Sequence, residues 1–505
     1  MKSVTFLSTS LILATIPSAF AIPTIKGVEA RWVKSGAKSV QESNTNVAAA
    51  ADAEQDYIVV LADDEKRPWP EVFKSMGWNT TETPAARSAD GDDLLSFRAF
   101  ETDEGESIQT FGTHMRAFTM TMKQSAGESV KALPNVAILE KDHKRAWAVM
   151  PRKAGSRPRN MPRSVIPDGQ SLPQGFEITK RQAPGNSSAG EFLQQSTAPW
   201  NLQRVSSQGT VTSNGRRVTD LNFDYRFERK SGAGVDVYVV DSGFNFQHVD
   251  FGGRLKVLFS PAQDGGKDTI GHGTHTSGTV GSLTYGVAKN VNLFGIKVGD
   301  EAPTDSALVA GIETAIAQHN QRKTLPGFAG SVMSLSLGGP DLGQTLFAIM
   351  QRASQAGMHI SVSAGNDNRD ACGDFPAGFS RQIPLFSVGA TDVNDNRATF
   401  SNFGPCVDIH APGVDIVSTF NTGPQSVDSL MGTSMACPAV SGMIAAELAL
   451  NPNLRLDPAG MKRHILSKGL PNVIKGTQGV TPGGFLMLNN DFPGNPAPRA
   501  GQRAR

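Results

Sequence analysis

The spacing of apolar residues divides the chain into two folded regions. In the first region, apolar and polar positions follow strand spacing and helix spacing in turn. The predicted elements have the order β-α-β-β-α-β and lie at residues 56–61, 69–76, 94–100, 115–122, 130–133 and 136–140. This order predicts a small α+β domain of the split-βαβ type over residues 56–143.

In the second region, apolar strands alternate with helical segments, which is typical of a parallel sheet covered on both faces. Residues 235–240 are β-branched and almost continuously apolar, as expected for a buried parallel strand. Similar strands are predicted at 292–298, 331–337, 359–364 and 385–390, with helices after Asp305 and through 346–353. We therefore expect an α/β fold with a doubly wound parallel sheet over residues 197–490.

The remaining segments show no such periodicity. Residues 22–55 are a leader of low order, and residues 491–505 are a Pro-, Gly- and Arg-rich tail that we expect to be disordered. Residues 144–196 mix basic residues with proline and glycine, which favours a solvated linker. The dibasic pair Lys180-Arg181 in this linker is a candidate processing site, although two solubilising charges explain it equally well.

Residues 1–21 have the features of a secretory signal peptide. Lys2 precedes the apolar run 6–16, and the small residues of Ala19-Phe20-Ala21 favour cleavage after Ala21. A core helix at this position would not explain the small residues. No later run is long and apolar enough to predict a membrane span. We expect a secreted, extracellular protein, with delivery to a lytic vacuole as the alternative.

Charge and cysteine content narrow the possible partners and scaffolds. The 505-residue chain carries 48 Lys and Arg against 47 Asp and Glu, so we expect no nucleic-acid partner. The sequence is silent on oligomeric state, and a monomer is the default expectation. Its three cysteines exclude a disulfide-dense scaffold but permit one bridge. Asn79 and Asn186 stand in glycosylation sequons that an exported chain would expose to glycosylation.

Three short motifs combine into a candidate catalytic set. Asp241 follows a predicted strand, His272 lies in Gly-His-Gly-Thr-His, and Ser434 lies in Gly-Thr-Ser-Met-Ala. Each motif alone is more often a turn, a loop or a tightly packed helix start. Together, in the order Asp, His, Ser, they supply a nucleophile, a general base and the carboxylate that orients the base. This combination predicts nucleophilic attack on a carbonyl group.

A fourth residue fits the same chemistry. Asn366 directly follows the predicted strand 359–364, and Asp241 follows strand 235–240, so both should lie at the carboxyl edge of the sheet. We expect the Asn366 side-chain amide and the Ser434 backbone N–H to form an oxyanion hole. A metal site at His272 and His275 is less well supported, because neither a third ligand nor the metalloprotease glutamate is apparent.

These motifs resemble those of the subtilisin-like serine proteases, specifically the proteinase K-like group, over residues 197–490. Residues 56–143 similarly resemble the ferredoxin-like inhibitory propeptide of these enzymes. The resemblance rests on these stretches: Ala198-Pro199-Trp200-Asn201-Leu202, Gly271-His272-Gly273-Thr274-His275, Tyr285-Gly286-Val287-Ala288, Ser334-Leu335-Ser336-Leu337-Gly338-Gly339, Ser363-Ala364-Gly365-Asn366, Phe400-Ser401-Asn402-Phe403-Gly404 and Gly432-Thr433-Ser434-Met435-Ala436.

The resemblance implies a serine endopeptidase made as a zymogen, which acts on protein or peptide substrates and is inhibited by its own propeptide. It implies that Ser336-Leu337-Gly338 pairs with the substrate backbone and that Ala364-Gly365 helps to wall the pocket before the scissile bond. The expected preference at that pocket is apolar or aromatic. Maturation is expected upstream of Thr197, for example after Arg181.

The resemblance also bears on disulfide and metal sites. It places Cys372 and Cys406 close enough for a disulfide, with two buried thiols as the alternative. Cys437 is expected to be a small buried residue. Asp408 matches a calcium-binding aspartate of the proteinase K-like group, but the loop around 376–384 differs. No cofactor is expected for the chemistry, and Asp408 is the candidate ligand for a structural calcium ion.

Two alternatives to an active protease stay open. The chain could be a catalytically silent binding protein with the same fold, although the presence of all four candidate residues argues against that. It could also be a lasting complex from which the propeptide never leaves.

Overall fold

The chain forms an antiparallel sheet followed by a larger, mostly parallel sheet. The computed structural model describes residues 53–83, 98–112, 114–149, 192–211, 217–262, 264–477 and 485–491, together with the backbone of 176–179. The predicted signal peptide ending at Ala21, the leader before residue 53, the sequon at Asn186, the pair Lys180-Arg181 and the tail after residue 491 lie outside the described residues. The other sequon residue, Asn79, is exposed.

The first region contains the predicted elements and two further strands. Its elements are β1 (Glu54–Leu61), α1 (Trp69–Ser75), β2 (Thr80–Thr83), β3 (Arg98–Thr102), β4 (Ser107–Phe111), β5 (Ala117–Lys123), α2 (Gln124–Lys131) and β6 (Val136–Lys141). The strands form one antiparallel sheet in the order β2-β3-β4-β5-β1-β6. The sequence pattern did not predict β2 or β4, because β2 is a run of Thr and Glu without buried apolar residues and β4 has only two apolar residues, Ile108 and Phe111.

The remaining elements follow β6, and those from β9 onward belong to the second region. They are β7 (Ala146–Trp147), β8 (Phe176–Thr179), β9 (Phe192–Ala198), α3 (Trp200–Val205), β10 (Phe223–Glu228), β11 (Val235–Asp241), β12 (Leu255–Phe259), α4 (His272–Gly281), β13 (Asn292–Lys297), α5 (Asp305–Arg322), β14 (Gly330–Leu335), β15 (Leu337–Pro340), α6 (Gln344–Gln355), β16 (His359–Ser363), β17 (Asp374–Phe375), β18 (Phe386–Thr391), β19 (Ile409–Pro412), β20 (Ile416–Thr419), β21 (Val427–Leu430), α7 (Thr433–Leu450), α8 (Pro458–Lys468), β22 (Leu470–Pro471) and β23 (Leu486–Met487).

The central sheet has nine strands in the order β12-β13-β11-β14-β16-β18-β19-β23-β22. Neighbouring strands are parallel from β12 to β23, and β22 pairs antiparallel to β23. In β11, Val237 and Val239 pack in a cluster with α4 and α7, whereas Tyr238 and Val240 pack in a cluster with α5 and α6. Helices therefore cover both faces, as the continuous apolar pattern of this strand predicts.

Strand β1 of the first region is also buried on both faces. Tyr57 and Val59 pack with the aromatic residues of α1, whereas Ile58 and Val60 join the cluster that contains α5 and α6 of the second region. One face of the antiparallel sheet therefore packs on its own helices, and the other face packs on α5 and α6. This contact fixes the position of β6 and of the chain that follows it.

The segment expected to be a solvated linker is ordered at both ends. Residues 144–149 lie in a cleft of the second region, with β7 paired to β15, and residues 192–198 form β9. The composition of 144–196 does not reveal these contacts, because each end is held by partners far away in the sequence. Helix α7 has the length and hydropathy of a membrane span, but 83% of its apolar window is buried in the interior, as in the core helix of a globular domain.

Candidate active site

Asp241 and His272 form a buried pair at the carboxyl edge of the central sheet. Asp241 is the last residue of β11 and His272 is the first residue of α4. The His272 Nδ1 lies 2.6 Å from Asp241 Oδ1, and both side chains are almost completely buried. The other carboxylate oxygen of Asp241 accepts a hydrogen bond from the hydroxyl of Thr276 at 2.9 Å. Asp241 therefore holds the imidazole ring in one orientation.

The start of α4 is held by Asp268, which sequence reasoning missed. Its carboxylate accepts hydrogen bonds from the backbone N–H of Gly271 at 2.8 Å and of Thr274 at 2.9 Å. Burial raises the pKa of Asp268, although the hydrogen bonds from Thr274 and Gly271 oppose that rise. Asp268 stands three residues before Gly271, the residue at the N-cap position, so its role is not apparent from the usual capping pattern. Asp268 positions His272 by fixing the first turn of its helix.

Ser434 lies in the first turn of α7, directly after Thr433, which contacts Asn366, the other residue predicted to form the oxyanion hole. Its hydroxyl donates a hydrogen bond to the carbonyl of Ser336 at 2.7 Å. The side-chain oxygen of Asn366 accepts from the Thr433 backbone N–H at 2.9 Å, which orients the amide. Among the described residues, neither His272 Nε2 nor Asn366 Nδ2 has a hydrogen-bond partner, although both atoms are buried. A buried polar atom without a partner is costly and calls for an explanation, and a catalytic role is one such explanation.

The chain itself occupies the cleft beside these residues. Strand β7 runs antiparallel to β15, with Trp147 opposite Leu337 and Ala146 opposite Gly338. On the other side, the backbone N–H of Arg145 donates to the carbonyl of Pro303 at 2.7 Å. The segment thus lies between β15 and the Pro303-Thr304 segment, with backbone hydrogen bonds to both. This is the geometry of an extended peptide added to a sheet edge, and it uses the Ser336-Leu337-Gly338 stretch expected to pair with substrate.

The carbonyl group of Ala148 lies at the start of α7. Its oxygen accepts a hydrogen bond from the backbone N–H of Ser434 at 3.0 Å, and its own N–H donates to the carbonyl of Ser336 at 3.2 Å. A Cβ atom at Gly432, whose φ is 151°, would overlap the Ala148 oxygen. Glycine at this position therefore admits a carbonyl group to the helix N-terminus, where the partial positive charge favours an oxyanion.

Two neighbouring side chains complete the contacts of this segment. The ring of Trp147 lies beside that of His272, with 5.3 Å between ring centroids, and Arg145 pairs with Asp305. Ala364 and Gly365 follow β16, and the N–H of Gly365 donates to the Thr433 hydroxyl at 3.2 Å. The structure thus brings the predicted substrate-binding residues to the same cleft as Ser434.

Cys372 and Cys406 form a disulfide, with 5.1 Å between their Cα atoms. This bridge is the one that the resemblance implied, and the alternative of two buried thiols is not seen. Cys437 is buried and unbridged, and burial raises the pKa of its thiol. It packs against the hydroxyl of Ser361 at 3.5 Å, as expected for a small interior residue.

The surroundings of Asp408 do not fit a calcium ion. The Lys462 ammonium lies 2.9 Å from one carboxylate oxygen of Asp408, and the backbone N–H of Ser387 donates to the other at 2.9 Å. Calcium requires six to eight oxygen ligands, and a divalent cation here would have to displace an ammonium group. Within the described ranges, no group of three or more His, Cys, Asp or Glu residues is placed to hold a metal.

The comparison with protein families agrees with this geometry. The model of the subtilase family matches residues 232–487, which include Asp241, His272, Asn366 and Ser434. The chain belongs to the subtilase family. The match covers about half of this subtilase and excludes the antiparallel sheet that precedes β7.

Curated relatives and a solved structure extend the comparison. This subtilase is 38% identical to alkaline protease 2 of Aspergillus fumigatus over 291 residues. The aligned part covers 54% of this chain and 56% of the relative. It is 41% identical to the subtilisin-like proteinase Spm1 of Pyricularia oryzae over 50% of this chain and 47% of the relative. The chain thus spans about half the length of these relatives. A crystal structure of a cold-adapted subtilisin-like serine proteinase is 34% identical, with a TM-score of 0.50, and is matched over 99% of its length and 58% of this chain.

Proposed function

We propose that this subtilase is a serine endopeptidase precursor whose own processing site is bound in the active-site cleft. The observation that carries the proposal is the hydrogen bond from the Ser434 backbone N–H to the Ala148 carbonyl oxygen. This hydrogen bond supports Ala148–Val149 as the peptide bond presented to the nucleophile. The flanking strand pairing of residues 145–147 supports this assignment, because a substrate would bind in the same extended form.

The proposed reaction uses the four residues that the sequence motifs predicted. In this reaction the Ser434 side chain turns away from the Ser336 carbonyl. His272 Nε2 then accepts its proton as Oγ attacks the Ala148 carbonyl carbon. Asp241 stabilises the resulting imidazolium. The Ser434 N–H and the Asn366 amide stabilise the oxyanion.

Collapse of the tetrahedral intermediate then completes the first half of the reaction. The C–N bond breaks, and His272 returns the proton to the amine of Val149, which leaves as a new N-terminus. Water hydrolyses the acyl-enzyme by the same proton transfers in the second half. The same steps would apply to protein or peptide substrates after the propeptide leaves the cleft.

We further propose that residues 54–148 act as a split-βαβ inhibitory propeptide and that the chain is exported as a zymogen. Strands β4, β5, β1 and β6 are neighbours in the sheet, and with α1 and α2 they give a β-α-β-β-α-β order, with β2 and β3 extending the sheet edge. The predicted strand 94–100 overlaps β3, so the second strand of this unit is β4, which the sequence pattern did not predict. The burial of Ile58 and Val60 against α5 and α6 supports a stable docking of this domain on the second region. Membership of a proteinase K-like group and secretion outside the cell are parts of this proposal.

The decisive experiment compares secretion of the wild type and of Ser434→Ala, with N-terminal sequencing, intact mass and casein hydrolysis. The proposal predicts wild-type cleavage after Ala148, with any later trimming upstream of Thr197, and an uncut, inactive Ser434→Ala chain. Ser441→Ala is a matched control, because Ser441 is a buried serine of the same helix that hydrogen-bonds Ser334 instead. It should mature like the wild type.

Two outcomes would favour the alternatives. Identical maturation of the wild type and Ser434→Ala, with no labelling of the wild type by a serine-directed phosphonate, would indicate a silent binding protein. Cleavage after Ala148 without casein hydrolysis, with both pieces in one stable complex, would indicate lasting inhibition by the propeptide.

A further inference from the structure

Arg145 is the fourth residue before the proposed scissile bond, with Ala148 as the first. Its side chain lies in a well-defined pocket. Its guanidinium forms a two-point ion pair with Asp305, with Nε to Oδ1 at 2.5 Å and Nη2 to Oδ2 at 2.8 Å. Its Nη1 donates to the carbonyl groups of Pro340 and of Asp341, the latter at 2.9 Å. Four hydrogen bonds thus hold the guanidinium, two to a carboxylate and two to backbone carbonyl groups.

The pocket excludes water and has an aromatic wall. The Arg145 and Asp305 side chains are only 2% and 5% exposed, and the guanidinium carbon lies 5.2 Å from the centroid of the Phe375 ring. The arginine methylenes pass over Gly339, where a Cβ atom would lie 3.7 Å from Arg145 Cδ. The pocket is therefore shaped for a long, planar cation and not for a short or branched apolar side chain.

All walls of this pocket belong to the second region. Asp305 is the first residue of α5, where the helix N-terminus favours a carboxylate, and Pro340 ends β15 beside the cleft. Loss of residues 54–148 would leave Asp305 without its guanidinium partner beside the groove that binds extended peptides. A substrate arginine at the fourth position before the cut would restore the pair.

We propose that the mature protease selects substrates with arginine at the fourth position before the scissile bond, and that Asp305 determines this preference. The proposal rests on the proposed function and names a substrate class for the same cleft. It differs from the apolar or aromatic preference expected for the residue directly before the cut, because it concerns a different subsite. Lysine should be accepted less well, since it cannot form the two-point ion pair.

The test uses mature enzyme and four p-nitroanilide peptides of sequence X-Ala-Trp-Ala, in which X is arginine, citrulline, lysine or leucine. Citrulline matches arginine in shape and carries no charge. We expect kcat/KM for arginine to exceed that for citrulline by about 10- to 100-fold, the usual range for a buried charged hydrogen-bonded pair. Asp305→Asn should bring this ratio close to 1 while the leucine peptide is still hydrolysed.

Two further variants of this protein provide the controls for the Asp305→Asn result. Glu301→Gln removes an exposed carboxylate four residues upstream and should keep the wild-type ratio. The double variant Arg145→Gln, Asp305→Asn removes both charges from the precursor, so it supplies mature enzyme even where the single variant fails to mature. Because Arg145 leaves with the propeptide, the mature double variant tests Asp305 alone.

The outcomes separate this inference from the proposed function. A wild-type arginine-to-citrulline ratio near 1, with normal hydrolysis of all four peptides, would overturn the inference and leave the protease intact; Arg145 would then serve only to anchor the propeptide. A large ratio that survives in Asp305→Asn would also overturn it. No hydrolysis of casein or of any peptide by the processed wild type would instead contradict the proposed function.

Discussion

The carboxylate of Glu140 accepts a hydrogen bond from the backbone N–H of Thr345 at 2.8 Å, at the start of α6. Its other oxygen accepts from the N–H of Gln344 at 2.7 Å. Helix α6 has no side-chain cap of its own, because Gly343 stands at the cap position. The first region therefore supplies both the cap and the negative charge that this helix lacks.

Removal of this cap should loosen the binding of the proposed propeptide, residues 54–148. We expect Glu140→Ala to cost about 1 kcal/mol of binding free energy, which corresponds to roughly fivefold faster dissociation. The measurement is the onset of peptide hydrolysis after dilution of the processed complex. Glu128→Ala, at an exposed position on α2, should show the wild-type onset. Equal onset for both variants would show that Glu140 does not hold the propeptide.

Asn366→Ala should slow catalysis without unfolding the protein. Loss of one oxyanion donor lowers kcat about 100- to 1,000-fold, a magnitude measured in subtilisin itself, so self-processing should slow by a similar factor. The check is the half-life of the precursor by intact mass, followed by kcat of the mature protein. Asn394→Ala, at an exposed position in the turn after β18, is the control. An unchanged half-life for Asn366→Ala would remove Asn366 from the oxyanion hole.

Lys462→Met should destabilise the second region, because it leaves the buried Asp408 carboxylate without its cation. Burial already raises the pKa of Asp408, and the Lys462 ammonium opposes that rise. Breaking a buried ion pair from one side costs about 3 to 5 kcal/mol. Thermal unfolding in a Ser434→Ala background measures this loss, and Asp408→Asn in the same chain should recover part of it.

The effect of calcium on Tm tests whether the Asp408 carboxylate binds Lys462 or a calcium ion. In Lys462→Met, added calcium should raise Tm only if Asp408 can recruit further oxygen ligands. In the wild type, calcium or a chelator should leave the Asp408-dependent part of the stability unchanged. A chelator effect that Asp408→Asn abolishes would show instead that Asp408 binds calcium.

His319 should make the fold sensitive to acid. Its ring is fully buried between Ser331 and the carbonyl of Ala356, and burial lowers its pKa from 6.5 to about 4. Above pH 6.5 the ring is neutral in both folded and unfolded chains. Below that pH the unfolded chain takes up the proton first, so stability falls until the folded ring also protonates near pH 4. The shift corresponds to roughly 3 kcal/mol.

The variant His319→Gln keeps hydrogen-bonding groups but does not titrate. In a Ser434→Ala background, the loss of unfolding free energy between pH 7 and pH 4 should be smaller for this variant than for its parent, whatever its stability at pH 7. Denaturant unfolding at several pH values gives this slope. Parallel slopes would exclude His319 as the acid-sensitive group.

The sequence predicted the parts of this molecule that depend on local pattern. Strand β11 is recognisable because its residues are apolar on both faces, and Asp241, His272 and Ser434 each lie in a short motif at the start or end of an element. The resemblance, and not the spacing of cysteines, supplied the bridge between Cys372 and Cys406. These features need little knowledge of distant contacts.

The features that sequence reasoning missed depend on distant partners. Arg145 belongs to a basic, proline-rich stretch whose average composition favours a linker, and its partner Asp305 lies 160 residues away. Trp147 contacts His272 only because β7 pairs with β15. No local pattern distinguishes such residues from their solvated neighbours.

Residues 145–148 lie between β15 and residues 303–304, and this position limits which parts of a folded protein the cleft could bind. A cleft that pairs with the backbone of a bound chain on both sides accepts only chain that is already extended over about four residues and free of other strand partners. A compact protein would have to open locally before its chain could enter. Digestion of folded proteins should therefore follow the population of their locally opened forms, so loosely folded segments and loops would be cut long before stable cores.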